Sequence, residues 1–280
     1  MAEDEDRILV TRQDKVRTFR ALHDKGCFIM PNPWDIAGAQ MMTKLGFKAL
    51  ATTSSGYAYS MGKRDGAEDV SREECLAYAA MIASSTDLPV TADTEDCYAE
   101  TPDGIAETVR LAAEAGLAGL SIEDRQPNAD RPIREFDDAV SRVEAAVDAA
   151  RQYDIVLTAR ADGVGKGVYD VDEAIRRLKR FEELGAEVLY MPGVPDLPTM
   201  ERLCSSFTAP VNHVAGAGKL GLSLQQIAAA GVRRISVGGS LARAVGGAML
   251  EKCMEIASGD FSSLETDLSW NALRNPATNS

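Results

Sequence analysis

The chain of 280 residues contains few of the residue types that build metal and disulfide sites in small proteins. Its two histidines, His23 and His213, are too few for a histidine-rich metal site. The five cysteines form no CxxC pair, which indicates a reducing compartment and gives no zinc signature. No apolar run approaches the roughly 20 residues that a helix needs to span a bilayer.

Positive charge is also scarce, with a formal net charge of −13 and a sequence pI of about 4.7. This balance argues against a nucleic acid or an anionic membrane as a partner. An anionic small molecule stays open, because a few local cations or a metal ion suffice to bind it. The acidic start at residues 1–6 is unlike a signal or transit peptide, so we expect a cytoplasmic protein.

Hydrophobic residues make up 45% of the chain, which is ample for a large core. Four segments share one design, in which a helical pattern ends in a glycine and a short apolar strand follows; the glycines are Gly46, Gly116, Gly185 and Gly231. The first three are about 70 residues apart, and a strand–helix unit takes roughly 30 to 40 residues. Each longer gap should therefore hold one further unit.

Apolar runs supply those further units, giving predicted strands at 27–30, 49–53, 90–93, 119–123, 155–160, 188–191, 211–214 and 235–238. Eight strands alternating with helices predict an α/β protein with a (β/α)₈ TIM barrel fold. We expect a single domain over 1–280, with a flexible acidic tail at 1–11 and a helical extension at 239–280.

A doubly wound sheet is the alternative fold, but it normally carries a glycine-rich phosphate loop. The glycines at 163–167 lack the GxGxxG spacing, and those at 216–219 lack the P-loop pattern. We interpret both stretches as flexible loops of the active face.

Acidic residues stand where several predicted strands end. Asp93 ends the third strand, Glu95 follows it, and Glu123 ends the fourth. Because all strand ends of a barrel face one mouth, these side chains should converge. Carboxylates without histidine suit Mg²⁺, with Mn²⁺ possible, rather than zinc. A solvated acidic turn is the simpler interpretation of any one of these sites taken alone.

Other candidates lie at the same face. Arg160 ends the fifth strand and is suited to grip a substrate carboxylate, with a salt bridge to Glu123 or Asp162 as the alternative role. Small residues follow the second strand, and Asp65 lies on the loop beyond them. The further candidates for contact with the substrate are Ser55, Gly56, Tyr57 and Asn212.

The order and spacing of these motifs resemble the isocitrate lyase/phosphoenolpyruvate mutase superfamily over about residues 18–251. The matching stretches are PNPWD at 31–35, TTSSG at 52–56, GKRD at 62–65, ADTE at 92–95, SIED at 121–124, TAR at 158–160 and PVN at 210–212. The resemblance implies a Mg²⁺-dependent enzyme that stabilises the enolate of a 2-oxo acid. It implies that Asp93 holds the metal, with Glu95, Glu123 and Asp65 acting through water.

The same resemblance gives catalytic roles to Arg160, Ser55, Gly56 and Asp65. The sequence departs from the family pattern in the loop at 125–135, which lacks the Cys and His of the isocitrate and methylisocitrate lyases. In the same loop, Asn128 is a candidate for the asparagine of the mutase lid. Oxaloacetate decarboxylation fits such a loop best. Phosphonopyruvate hydrolysis, another carbon–carbon lyase reaction, and a non-catalytic 2-oxo-acid-binding protein are the alternatives.

The C-terminal segment is richer in apolar residues than one helix facing a barrel requires. Val245, Met249 and Met254 lie in the predicted helix, and Phe261 and Trp270 follow it. We expect a homo-oligomer, and the resemblance implies a tetramer in which the eighth helix is exchanged between barrels.

Overall fold

A computed structural model describes residues 10–66, 69–127, 130–217, 220–266 and 269–276. Its eight parallel strands form one nearly closed barrel in the order β1-β8-β7-β6-β5-β4-β3-β2, which confirms the predicted (β/α)₈ fold. The strands are β1 Phe28–Met30, β2 Leu50–Ala51, β3 Val90–Asp93, β4 Gly119–Glu123, β5 Val156–Arg160, β6 Val188–Tyr190, β7 Val211–Val214 and β8 Arg234–Ser236.

Helices alternate with these strands around the barrel. They are α1 Arg12–Asp24, α2 Ile36–Lys44, α3 Ser54–Ser60, α4 Arg72–Ser84, α5 Pro102–Glu114, α6 Phe136–Tyr153, α7 Gly163–Lys166, α8 Val171–Leu184, α9 Leu197–Ser205, α10 Leu224–Ala229, α11 Ser240–Ala257 and α12 Trp270–Arg274. In the described part of the chain, no helix is both long and apolar enough to cross a bilayer.

Two short helices, α3 and α7, were not predicted from the sequence, and α7 replaces an expected loop. Helix α3 begins at Ser54, and the side chain of its N-cap residue, Thr53, accepts the Gly56 N–H. The glycine-rich stretch at 163–167 forms α7, which packs closely against Gly193, where a Cβ would collide with the backbone of Gly165. Glycine therefore serves here for close packing, which predicts order rather than flexibility.

The expected flexible tail at 1–11 lies mostly outside the described residues, and its last residue is ordered. Thr11 is the N-cap of α1: its side chain accepts the Asp14 N–H, and the Asp14 carboxylate accepts the Thr11 N–H. This reciprocal pair fixes the start of a helix. Helix α1 then covers the amino-terminal end of the barrel, where Val16 and Phe19 are fully buried against residues of the strand starts.

The barrel has a seam between β1 and β2, its two edge strands. One backbone hydrogen bond joins the edges, from Ala51 N to Pro31 O at 3.0 Å. The buried side chain of Asn32 adds one more bond across the seam, in which its Nδ2 donates to Thr52 O at 2.8 Å. Its Oδ1 accepts two backbone N–H groups after β8, each at 2.9 Å. One amide side chain thus ties three strand ends together.

We predict that Asn32→Ala lowers the free energy of unfolding by about 2–4 kcal/mol, because three hydrogen bonds are lost and buried backbone groups are left unpaired. Urea denaturation monitored by circular dichroism measures the change, with the exposed Asn271→Ala as the control expected to stay within about 0.5 kcal/mol. An Asn32→Ala protein as stable as the parent would show that the seam does not depend on this side chain.

Candidate functional site

The carboxyl ends of the strands surround a cavity of about 550 Å³. Five of the predicted site residues line it together, namely Ser55, Asp65, Asp93, Glu123 and Arg160. They come from three strands and from the segment that follows β2. Residues spread over more than one hundred positions of sequence thus meet at the mouth, as the barrel topology requires.

Arg160 is the centre of this mouth. Its Nη1 lies 3.1 Å from Asp93 Oδ1 and 2.7 Å from Glu123 Oε1. Its Nε and Nη2 donate to the two oxygens of Asp162 at 3.1 and 2.7 Å. The guanidinium also lies over the ring of Tyr190, 4.8 Å from its centroid. Arg160 therefore braces the carboxylates of the mouth and lines the cavity at the same time.

Asp93 is held from two sides. Its Oδ2 accepts hydrogen bonds from the N–H and the hydroxyl of Ser54, at 3.2 and 2.9 Å. Its own N–H donates to Thr52 Oγ1 at 2.9 Å. These contacts fix the carboxylate between β2 and the ion pair with Arg160. The role of Ser54 was missed in the sequence, because the run of small residues gave no sign of which hydroxyl faces Asp93.

Glu123 is almost completely buried, with 2% of its side chain exposed. One oxygen pairs with Arg160, and the other lies 3.4 Å from Arg125 Nη1. Burial is the main cause that raises the pKa of Glu123, and the nearby carboxylates of Asp162 and Asp93 add to it. Arg125 thus supplies a second positive charge to the site. The guanidinium of Arg125 lies so close to Gly66 that a Cβ on Gly66 would overlap it.

Glu95 lines a neighbouring cavity of about 250 Å³ that shares Glu123 and Arg125 with the mouth. Burial, followed by the charges of Asp93 and Asp65, raises the pKa of Glu95 to about 7. Loss of hydration and the charge of Asp93 likewise raise the pKa of Asp65. The carboxyl groups of the mouth therefore repel one another, and a bound cation would relieve that repulsion.

Asp124 positions the end of β5 from behind. Its Oδ1 accepts the Asp162 N–H at 2.8 Å, and its Oδ2 accepts the Tyr169 hydroxyl at 2.6 Å and Arg177 Nη1 at 3.1 Å. Burial raises the pKa of Asp124 to about 6, and Asp162 adds to the effect. The acidic pair at the end of β4 thus divides its roles: Glu123 faces the cavity and Asp124 supports it.

Three of the predicted contacts with the substrate lie away from the cavity. The N–H of Gly56 donates to Thr53 Oγ1 at 3.2 Å and so is occupied within α3. Tyr57 stacks on Tyr78, with ring centroids 4.3 Å apart. Asn212 is buried inside the barrel, one layer below the mouth. Asn128, the expected counterpart of a lid asparagine, lies outside the described residues.

The donor set fits a hard divalent cation. Among the described residues, no group of three or more Asp, Glu, His or Cys side chains stands ready to hold a metal. Mg²⁺ needs fewer, because it keeps several waters and takes one or two carboxylates together with substrate oxygens. The cavity of about 550 Å³ offers Asp65, Asp93 and Glu123 with room for waters and a small acid. Their mutual repulsion is the observation that favours the fit.

The phosphoenolpyruvate phosphomutase family model matches residues 19–257. The structure is similar to that of a putative lyase/mutase from Burkholderia cenocepacia J2315, with a TM-score of 0.89 and 42% identity over 94% of this chain and 95% of the other. Among curated relatives, an uncharacterized protein of Mycobacterium tuberculosis is 31% identical over 79% of this chain and 81% of its own length. An oxaloacetate decarboxylase of Ectopseudomonas mendocina is 28% identical over 77% of this chain and 75% of its length.

The chain therefore belongs to the phosphoenolpyruvate phosphomutase family, within the isocitrate lyase/PEP mutase superfamily. It is an enzyme of a superfamily of lyases and mutases, whose members generally use a divalent metal such as Mg²⁺. The resemblance noted from its motifs is confirmed.

We predict that Gly239→Ala lowers kcat/KM by at least about tenfold, because a Cβ there would overlap the Ser55 hydroxyl at the cavity wall. The backbone angles of Gly239, φ −75° and ψ 2°, are open to alanine, so the fold should persist. Steady-state kinetics and thermal unfolding separate the two effects. Kinetics equal to those of the parent would mean that the position of Ser55 is unimportant.

Proposed function

We propose that this protein is a Mg²⁺-dependent decarboxylase of a small 2-oxo dicarboxylic acid, with oxaloacetate as the leading substrate. The observation that carries the proposal is the convergence of Asp65, Asp93 and Glu123 with two arginines, Arg125 and Arg160, at one cavity. The acids suit a divalent cation and the arginines suit an anionic substrate. The similarity to an oxaloacetate decarboxylase supports the choice of substrate.

The reaction needs little from the protein beyond charge. The C3–C4 bond of the substrate breaks, CO₂ leaves, and the electron pair remains as the enolate of pyruvate, which then takes a proton at C3. No nucleophile is required, so a loop at 125–135 without Cys or His is sufficient. Polarisation of the C2 carbonyl oxygen and the C1 carboxylate is the chemistry that the divalent cation supplies when bound.

The side chains of the protein would hold the cation and orient the substrate. Asp93, fixed by Ser54 and Arg160, would bind the cation directly, with Glu123, Asp65 and Glu95 through water. Arg160 and Arg125 keep positive charge beside the enolate oxygen, which is preorganised stabilisation of a developing oxyanion. Ser55 lines the same wall and offers its hydroxyl to the substrate.

The reaction is tested with a panel of 2-oxo acids, 2-hydroxy acids and phosphonopyruvate in the presence of Mg²⁺. We expect pyruvate and CO₂ from oxaloacetate at rates above those of free Mg²⁺. Because free metal decarboxylates oxaloacetate slowly, the control is the same solution with the Asp93→Asn protein. Phosphate release from phosphonopyruvate, or a second carbonyl product from a larger acid, would overturn the choice of reaction and identify the alternative.

We predict that Asp93→Asn lowers kcat/KM at least about 100-fold and removes the response of activity to Mg²⁺, because a charged ligand becomes a neutral amide of the same shape. Treatment of the parent protein with EDTA should cause a comparable loss that added Mg²⁺ restores. Asp103→Asn, on the exposed first turn of α5, is the matched control and should keep full activity. Equal Mg²⁺ dependence in both variants would exclude Asp93 as a ligand.

We also propose that the protein is a homo-oligomer. Its resemblance to the superfamily favours a tetramer. Along α11, one residue, Ala242, is buried. Large apolar side chains are exposed along the helix and beyond it, and they include Val245, Met249, Leu250, Met254, Phe261 and Trp270. Such a stripe is more apolar surface than a monomer normally leaves in water. A second copy of the chain is the occupant that would complete it.

We predict that the double variant Leu250→Glu and Met254→Glu lowers the molar mass in solution, because charges would be buried at the interface. Light scattering after size exclusion measures the change. Glu251→Lys, on the same helix and exposed, is the control expected to keep the assembly. A parent protein that is monomeric at all concentrations would contradict this proposal and leave the proposed reaction untouched.

A further inference from the structure

The interior of the barrel is built in three layers of different chemistry. The lowest layer is apolar and includes Ala49, Val156 and Val188, packed on α1. The uppermost layer is the ionic mouth around Arg160. Between them lies a small cavity of about 70 Å³ whose lining includes many polar side chains. Its middle wall includes Thr91, Ser121, Thr158, Asn212, Arg234 and Ser236. Bulky aliphatic side chains usually fill this part of a TIM barrel.

Arg234 is the charged member of this polar middle layer, and it is 3% exposed. Its Nε donates to Asn212 Oδ1 at 2.8 Å, and its Nη2 donates to Thr158 Oγ1 at 3.0 Å. Its Nη1 lies 3.5 Å from Nε2 of His23. These contacts account for three of the five N–H groups of a guanidinium.

None of these partners carries negative charge. His23 uses Nδ1 toward Phe19 O at 2.8 Å, and burial together with Arg234 lowers the pKa of His23 to about 3, so the ring is neutral. Asn212 Nδ2 lies 3.1 Å from Ser236 Oγ, which orients Oδ1 toward the arginine. Within the described ranges, no carboxylate forms an ion pair with Arg234. Asp93 lines the same cavity, but its two oxygens are taken by Arg160 and Ser54.

A buried cation without a counter-ion is costly, and proteins normally pair it. Burial lowers the pKa of Arg234 to about 9, the direction expected for an unpaired cation. The cavity of about 70 Å³ beside it is several times the roughly 10–15 Å³ that one water needs. It shares Asp93, Arg160, Tyr190 and Gly238 with the main cavity, so the two cavities adjoin.

We propose that the polar middle layer is a binding site for one small monovalent anion, of the size of a halide or formate, whose charge is neutralised by Arg234. The single positive charge sets the valence, and the volume sets the size. The hydroxyl and amide groups of the wall replace part of the hydration of the ion. Asp93 and Arg160 line both this cavity and the main cavity, so the test below measures melting temperature rather than activity.

Thermal unfolding tests the proposal with sodium bromide or sodium formate against sodium gluconate, whose anion is too large for the cavity, at equal ionic strength. An ion that binds the native state raises its melting temperature, here by an expected rise of roughly 2–4 °C at saturating concentration. Arg234→Met should lose this rise. The neighbouring Arg233→Met, whose side chain is exposed, should keep it and controls for general salt effects. If bromide and formate raise the melting temperature alike, the site accepts any small monovalent anion. If formate alone raises it, the site is selective for a carboxylate.

An undiminished rise in the Arg234→Met protein would overturn the proposal, since the ion would then bind elsewhere, such as at Arg160. Because removal of Arg234 takes away the partner of His23 Nε2 and of Asn212 Oδ1, the variant can fail to fold. If the variant does not fold, crystals of the parent protein soaked in bromide provide the test. An anomalous peak in contact with the Arg234 guanidinium supports the site, and bromide at the protein surface alone overturns it.

Discussion

The ion pairs of Arg160 are the interaction on which the site depends. One guanidinium contacts Asp93 at the end of β3, Glu123 at the end of β4 and Asp162 beyond β5. Without it, three carboxylates would face one another in a partly buried mouth, where their repulsion is only weakly screened. The arginine thus makes an acidic mouth compatible with a folded barrel. It leaves an excess of negative charge that a divalent cation can use.

Much of the fold was readable from the sequence because the barrel repeats one rule. Glycines such as Gly46 and Gly185 end helices in the left-handed conformation, at φ 86° and 109°, and an apolar strand follows each. Strand ends then converge by topology alone, so Asp93, Glu123 and Arg160 were placed together correctly. The short helix α7 was not predicted because it depends on tertiary packing. In the sequence, Gly165 in α7 indicates a flexible loop, and only the fold shows that Gly193 packs against it.

The finer geometry of the site was not readable, and the reasons are physical. Which of two adjacent acids faces the cavity depends on the pleat, so Glu123 and Asp124 look equivalent in the sequence and act differently in the fold. The left-handed backbone of Glu95, at φ 46°, breaks strict alternation and places its carboxyl in the neighbouring cavity. Arg234 gave no signal either, because a charged residue in a strand normally predicts an outward-facing position.

The seam between β1 and β2 also determines how the barrel loses structure. Other neighbouring strands are joined by ladders of backbone hydrogen bonds, whereas this pair of edges is closed by one backbone bond and by Asn32. Local opening in proteins follows the least connected boundary. Fluctuations of the native state should therefore begin as a parting of the first and second strands, and backbone amides there should exchange with solvent sooner than those of β4 and β5.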